Sequence, residues 1–144
     1  MNSEDCARLT YGEITLGQEA SFSVAITDAM MDDFGRASGN LSPLHMDEEY
    51  SRKTPFGHRI VHGMMIGSLF SRLFGMYLPG EYGLCLSETL QFHLPIFAGD
   101  TVIIRGVVTH KTDANHAIVL RTTAESEDGK RIFVSGDALI KVLK

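Results

Sequence analysis

One long apolar segment, Ile60–Leu78, constrains this chain more than any other feature. The segment is about as long as a membrane-spanning helix, but it contains His62, Arg72 and three glycines. Its polar residues cluster as they would on one face of a helix, which favours a helix buried inside a folded domain. We therefore predict a long helix within the apolar segment Ile60–Tyr77 that opens at His62-Gly63. Its small residues, among them Gly63, would let it pack closely against another backbone.

After Pro79-Gly80 the apolar pattern changes from the period of a helix to that of strands. Short turns separate the strand segments, and Asp128-Gly129 is a strong hairpin signal because this pair tolerates positive φ. The intervals are short, so the strands are predicted to be antiparallel. The predicted strand segments are Leu84–Leu94, Thr101–Lys111, His116–Glu125 and Arg131–Leu143.

The first half of the chain predicts shorter elements. They are a strand over Ser21–Ile26, a helix over Asp28–Ala37 with Thr27 as its N-cap, a loop over Asn40–His45 fixed by Pro43, and a short helix over Glu48–Lys53. One buried helix against a curved antiparallel sheet gives a two-layer α+β fold. We expect residues 1–144 to form one such domain, with residues 1–12 as a flexible or edge segment.

Composition narrows the possible partners and location. The net charge of −5 and the scattered basic residues argue against non-specific binding of nucleic acid. The two cysteines, Cys6 and Cys85, are too few for a disulfide framework, and the polar, acidic N-terminus does not resemble a signal peptide. We expect free thiols, a cytoplasmic location and no membrane contact. His45 and His62 have no third ligand at metal spacing, so no metal site is predicted.

Two positions suit acid–base or anion-binding chemistry. His45 follows the constrained loop at Pro43 and is a candidate acid or base, with a surface or capping histidine as the alternative. Gly63 lies where the long helix begins, so its N–H can face an anion at the positive end of the helix dipole. The alternative, that Gly63 only permits close packing, stays open. His62 is interpreted as a supporting residue.

Several motifs together resemble the MaoC-like (R)-specific enoyl-CoA hydratases, a family with the hot-dog fold. In that family Ser-Gly-Asp-x-Asn-Pro-x-His-x-Asp is followed by Phe-Gly, by Ala/Val-His-Gly and by an apolar helix that ends near Leu-Pro-Gly. The later segment Phe92–Asp100 resembles the family's strand and loop F-x-x-P-hydrophobic-x-x-G-D. The resemblance covers about Thr27–Lys144 and is specific because several motifs must coincide. The matching positions here are Ser38-Gly39, Pro43, His45, Asp47, Phe56-Gly57, Val61-His62-Gly63 and Leu78-Pro79-Gly80.

The resemblance implies roles for individual residues. His45 corresponds to the family's catalytic histidine, and Gly63 to the glycine whose N–H faces the thioester carbonyl. Ser71 corresponds to a helix position that helps to orient groups in the site, which makes it a candidate for binding the thioester. Asp47 corresponds to the acid after the histidine, where we expect a structural role.

One departure from the family pattern concerns the reaction itself. Asn40 stands where the family has its catalytic aspartate, and Ser42 stands where the family commonly has Asn. An amide is neither a general acid nor a general base, although it can position water or a thioester through hydrogen bonds. General acid–base catalysis contributes about 10²–10⁴-fold to a rate, so the loss of the carboxylate should lower the rate of the reaction.

The leading hypothesis is a lyase that interconverts an enoyl thioester and an (R)-3-hydroxyacyl thioester in fatty acid or polyketide metabolism. The resemblance implies acyl-CoA or an acyl carrier protein as the substrate carrier. Coenzyme A or phosphopantetheine would then be part of the substrate, and no separate cofactor is expected. The alternatives are a double-bond isomerase and a catalytically impaired subunit that binds acyl thioesters. Proteins of this fold usually pair through their sheets, so a homodimer is expected.

Overall fold

A computed structural model describes residues 5–144 of the chain. The strands within this range are β1 (Glu19–Ala25), β2 (Gly83–Glu88), β3 (Gln91–Phe92), β4 (Thr101–Thr112), β5 (Ala117–Ser126) and β6 (Ile132–Val142). The α-helices are α1 (Asp28–Ser38), α2 (Pro43–Met46), α3 (Glu48–Arg52) and α4 (Gly63–Arg72). A π-helical turn, Leu73–Tyr77, continues α4, and a 3₁₀ turn, Asp113–Asn115, joins β4 to β5.

The strands form one antiparallel sheet, in the order β1-β4-β5-β6-β2, with β3 also pairing with β6. Burial alternates along β4, and its inward residues include Val102, Ile104 and Val108. A Cβ at Gly106, on the same face, would lie 2.7 Å from Leu73 Cδ2, so the helical segment sits directly on the sheet. The predicted hot-dog arrangement of one central helix against a curved sheet is confirmed.

Local signals predicted several boundaries correctly. The Thr27 side chain accepts a hydrogen bond from Met30 N, as an N-cap does, and α1 ends at Gly39, whose φ of 75° is left-handed. The hairpin between β5 and β6 turns at Gly129, whose φ is 68°. These features depend on residues close together in the sequence, which is why the sequence predicts them.

The long helix begins at Gly63, after His62 as its N-cap, and this confirms the predicted start at His62-Gly63. Ile60 forms a β-bridge with Phe97, and Val61 N donates to Ile96 O at 2.8 Å. This pairing keeps the chain extended until the helix begins. No helix in the described part of the chain is long and apolar enough to cross a membrane.

Two predicted boundaries were wrong. The predicted strand Leu84–Leu94 is divided into β2 and β3, because Thr89 turns toward β6 and its N–H donates to Asp137 O at 2.9 Å. The predicted loop Asn40–His45 contains the helical turn α2, and His45 therefore lies on a helix. Pro43 starts this turn, where a residue without an N–H is tolerated.

The segment before β1 is hydrogen-bonded to the rest of the domain. Ala7 N donates to Met76 O at 2.9 Å, Leu9 N to Pro79 O at 3.2 Å, and Tyr11 N to Lys144 O at 2.7 Å. The first two bonds hold residues 7–9 beside the end of the helical segment, and the third holds Tyr11 beside Lys144, after β6. The first four residues of the predicted flexible or edge segment, 1–4, lie outside the described residues.

Candidate active site

A cavity of about 400 Å³ lies where α4 begins, against β3 and the segment that follows it. We call the side formed by α2 and the segment into α4 the helix wall, and the side formed by the sheet the strand wall. The helix wall consists of His45, Phe56, Ile60, Val61, Gly63, Met64 and Ile66. The strand wall consists of Phe92, His93, Leu94, Pro95, Ile96 and Val134.

His45 is half-buried on the helix wall, and its ring is held in one orientation. Its Nδ1 lies 2.8 Å from Ile60 O, and because a carbonyl only accepts, Nδ1 must carry the proton. In the neutral imidazole Nε2 then has a free lone pair. Nε2 makes no hydrogen bond to any residue that the structure describes. His45 is therefore prepared to act as a base toward a molecule in the cavity.

His62 lies behind His45 and is buried, with 1% of its surface exposed. Its Nε2 donates to Asn40 O at 2.9 Å, and its ring stacks on that of His45 with centroids 4.2 Å apart. Burial lowers the pKa of His62, and the charges of His45 and Arg59 act in the same direction, whereas the bond to Asn40 opposes the shift. His62 is thus neutral at neutral pH and connects the loop at Asn40 to His45.

Gly63 is the first residue of α4 and lines the cavity. The N–H groups of Gly63 and Met64 have no acceptor within residues 5–144, and His62 makes no side-chain cap bond. The positive end of the helix dipole therefore opens into the cavity. A Cβ at Gly63 would lie 2.7 Å from Phe92 Cε1. The glycine therefore does both things that the sequence left open: it permits close packing and it carries a free donor.

Asn40 is exposed and does not line the cavity. Its Oδ1 accepts from Ser42 N at 3.3 Å, and its own N–H donates to Ser38 Oγ at 3.2 Å. These bonds shape the turn between α1 and α2. Asn40 is connected to the cavity through its carbonyl, which His62 binds.

The other predicted site residues lie outside the cavity. Asp47 caps α3 by accepting from Tyr50 N at 3.0 Å, which is a structural contact. Ser42 O accepts from His45 N at 2.9 Å and so supports α2. Ser71 is exposed on α4, and the structure does not bring it to the cavity wall.

No carboxylate bonds to His45 within the described range. Arg59 binds Asp28 at 2.6 Å and Asp32 at 2.7 Å, and the hydrogen bond from Arg59 is the main cause that lowers the pKa of Asp32. Asp33 pairs with Arg36. The described residues also contain no group of three or more His, Cys, Asp or Glu side chains that could hold a metal ion. Acid–base chemistry in this cavity therefore rests on imidazole.

His93 is a cavity residue that the sequence did not single out. It lies on the strand wall directly after β3, and its Nε2 is 2.7 Å from Ser135 Oγ. The available signal was its position next to Phe92 in the segment Phe92–Asp100, but nothing local marks an exposed histidine as functional.

The chain is similar to several named proteins. A profile of the family described as MaoC like domain matches residues 13–130. The chain is 36% identical over 129 residues to the (R)-specific enoyl-CoA hydratase of Aeromonas caviae, covering 90% of this chain and 96% of the hydratase. It is 29% identical over 136 residues to the 3-hydroxybutyryl-CoA dehydratase of Methylorubrum extorquens, covering 94% of this chain and 85% of the dehydratase. The structure matches that of the R-hydratase PhaJ1 from Pseudomonas aeruginosa with a TM-score of 0.89 and 31% identity, covering 95% of this chain and 87% of that chain.

Proposed function

Because the chain belongs to the MaoC-like domain family, we propose that it is a lyase that interconverts an enoyl thioester and an (R)-3-hydroxyacyl thioester. Relatives named as hydratases and dehydratases support this reaction class. The observation that carries the proposal is His45, whose Nδ1 is bound to Ile60 O so that Nε2 is the free base in a largely apolar cavity.

In the hydration direction, His45 Nε2 takes a proton from water as the water oxygen bonds to the β-carbon. The electrons of the double bond move toward the thioester oxygen. The N–H of Gly63 donates to this oxygen, where the helix dipole also favours negative charge. The enolate then re-forms its carbonyl as the α-carbon takes up a proton, and the proton that His45 removed from water returns to solvent. Dehydration is the reverse.

Asn40 takes a positioning role in this proposal. Its side-chain amide lies outside the cavity lining and cannot transfer a proton. Its connection to His45 runs through His62, since His62 binds Asn40 O and stacks on His45. The residues Ser42 and Asp47 support the turn that carries His45. We retain Ser71 as a candidate contact for the thioester, at the far end of the same helix.

The substrate carrier is coenzyme A or an acyl carrier protein, in fatty acid or polyketide metabolism. Coenzyme A or phosphopantetheine is part of the substrate, and the protein uses no separate cofactor. The many apolar side chains of the cavity suit an acyl chain. We also propose a cytoplasmic location, which agrees with the free thiols of Cys6 and Cys85.

Hydration of crotonyl-CoA tests the proposal. The His45→Ala variant should lose about 10²–10⁴-fold in kcat, because it lacks the base. His110→Ala is the matched control, since His110 is exposed on β4 outside the cavity, and it should retain wild-type activity. Asn40→Asp, which restores the carboxylate of the family pattern, is assayed in parallel. If neither the wild type nor Asn40→Asp hydrates an enoyl thioester of any chain length, the hydratase proposal is wrong.

A double-bond isomerase is the second candidate, and the observation that favours it is that no carboxylate bonds to His45 within residues 5–144. Isomerisation needs proton transfer but no addition of water. Product analysis with a β,γ-unsaturated thioester distinguishes the two reactions. A third outcome, thermal stabilisation by acyl thioesters without turnover, would indicate a binding subunit, and purification with an aspartate-bearing homologue would support that role.

We further propose that the protein is a homodimer that pairs through β2. This strand is at one end of the sheet, and it exposes 48% of Leu84 and 50% of Leu86. An unpaired, apolar edge strand is prone to non-specific association unless a partner covers it. Sedimentation equilibrium should give twice the chain mass, and Leu86→Lys should shift the protein toward monomer.

A further inference from the structure

We propose that His93 is a second catalytic residue of the cavity, which transfers the proton at the α-carbon of the bound thioester. This inference rests on the function proposed above. Within residues 5–144, the cavity lining has two ionisable side chains, His45 on the helix wall and His93 on the strand wall. Asn40 does not line the cavity, and its amide is not ionisable. His93 is therefore the second group in the cavity that can exchange a proton with a ligand.

The position of His93 follows from the contact between the two walls. Phe92 packs against Gly63 so closely that a Cβ there would lie 2.7 Å from the phenyl ring. His93 is the next residue, and consecutive Cα atoms are about 3.8 Å apart. The His93 side chain therefore leaves the backbone one residue after Phe92, whose ring contacts Gly63. The N–H of Gly63 is the group proposed to bind the thioester oxygen. The α-carbon of a thioester is bonded to that carbonyl.

An irregularity in the backbone lets both Phe92 and His93 line the cavity. In a regular strand, neighbouring side chains point to opposite faces. Here β3 ends at Phe92, and the N–H groups of His93 and Leu94 both reach Phe133 O, at 2.8 and 3.4 Å. The alternation is therefore interrupted at His93.

Ser135 fixes one nitrogen of His93 and leaves the other available. The distance from Nε2 to Ser135 Oγ is 2.7 Å, and Nδ1 makes no hydrogen bond to a described residue. His93 is also exposed, so its proton can exchange with solvent after each turnover. His45 likewise has one free nitrogen, but its side chain is half-buried.

The imidazoles of His45 and His93 together account for both proton transfers in hydration. His45 removes a proton from water while the oxygen–carbon bond forms at the β-carbon, and the π electrons move to the thioester oxygen. The resulting enolate re-forms its carbonyl as the α-carbon takes a proton from protonated His93. His45 then releases one proton to solvent and His93 takes one up, so no oxidant, reductant or other reactant is needed.

NMR signals of the histidine ring protons test whether these side chains contact a bound thioester when no reaction takes place. The chain has six histidines, so their ring signals can be assigned by substitution. Saturated butyryl-CoA cannot be hydrated, and its addition should shift the signals of His45 and His93 but not that of His110. If only His45 shifts, the inference is wrong and the proposed binding site stands. If neither shifts, the cavity does not bind thioesters, and the proposed function is wrong as well.

Kinetics then test the proton transfer. His93→Gln should lower kcat for crotonyl-CoA about 10²-fold, the lower end for a lost acid–base group, with KM changed by less than about threefold. Ser135→Ala should have a smaller effect on kcat, since it only loosens the ring. His110→Gln is the matched control. If the wild type hydrates crotonyl-CoA and His93→Gln has an unchanged kcat, the inference about His93 is wrong, while the proposed function stands.

Discussion

The two walls of the cavity differ in how their polar groups are held. On the helix wall, main-chain carbonyls fix the rings, since Ile60 O binds His45, and Asn40 O binds His62 from behind the wall. On the strand wall most side chains are apolar, and the one histidine, His93, is held by the hydroxyl of Ser135.

This difference indicates a division of labour. Groups that stabilise developing charge act best when their orientation is fixed before the substrate binds. The proposed donor at Gly63 and the proposed base at His45 are both on the helix wall, and both are fixed by the main chain. Apart from His93, the strand wall supplies apolar surface, which binds an acyl chain without demanding one orientation. We therefore expect substitutions on the helix wall to affect kcat, and apolar substitutions on the strand wall to affect KM.

Among the substitutions that test this division, Gly63→Ala should have the largest effect, because it disturbs the contact between the walls. The new Cβ would lie 2.7 Å from Phe92 Cε1, so the phenyl ring or the start of α4 must move. Displacing one oxyanion donor costs about 10²–10³-fold, and we expect a loss of about that size in kcat/KM for crotonyl-CoA.

Gly75→Ala is the matched control for that substitution. Gly75 lies in the π-helical turn that continues α4, and a Cβ there meets nothing within 4 Å. It should leave the rate nearly unchanged. The double variant Gly63→Ala with Phe92→Leu should recover part of the lost activity if the collision is the cause. Wild-type activity in Gly63→Ala would contradict the proposed role of the helix start.

The helix wall was largely predictable from the sequence, and the reason is local. His45 and Gly63 occur within motifs whose spacing is fixed by one continuous segment, so the resemblance identified both. What the sequence did not predict was their connection. The bonds from His45 to Ile60 and from His62 to Asn40 join residues 15 and 22 positions apart, and no periodicity encodes such pairs.

The strand wall was not predictable in the same way. The break between β2 and β3 arises where Thr89 O approaches Gly136 so closely that a Cβ would lie 1.7 Å away. This contact spans two strands, whereas the apolar pattern suggested one continuous strand. The pairing of Ile60 with Phe97, just before α4, is a second long-range contact that the apolar pattern did not show. Long-range pairing therefore determined the details that short-range patterns missed.

His62→Phe should have an intermediate effect, since it keeps a ring beside His45 but cannot bind Asn40 O. The loss of one hydrogen bond, about 1 kcal/mol, should lower kcat about fivefold. His62→Gln, which keeps a donor but loses the stacked ring, separates the two contributions. If both variants have wild-type kcat, His62 does not position His45.

The His62→Phe variant should also change how the free energy of unfolding depends on pH. The folded pKa of His62 lies below its ordinary value of 6.5, so the unfolded state takes up a proton first as the pH falls. The stability from neutral His62 is present above about pH 6.5 and is lost as the pH falls through the folded pKa. Urea unfolding between about pH 7.5 and pH 5 should show a smaller loss of stability in His62→Phe than in the wild type. The exposed control His110→Gln should follow the wild-type curve.

Leu94→Ala should have the smallest effect and tests the strand wall directly. Leu94 lines the cavity with 45% of its surface exposed, so only part of its apolar area can be buried by a ligand. Loss of this contact should raise KM about threefold for an acyl thioester while kcat stays within error, because contact with the acyl chain is the same in the ground and transition states. Steady-state kinetics with thioesters of increasing chain length measure both constants. A drop in kcat comparable to that of His45→Ala would show that the strand wall also orients the reacting atoms, and the division between the two walls would then be wrong.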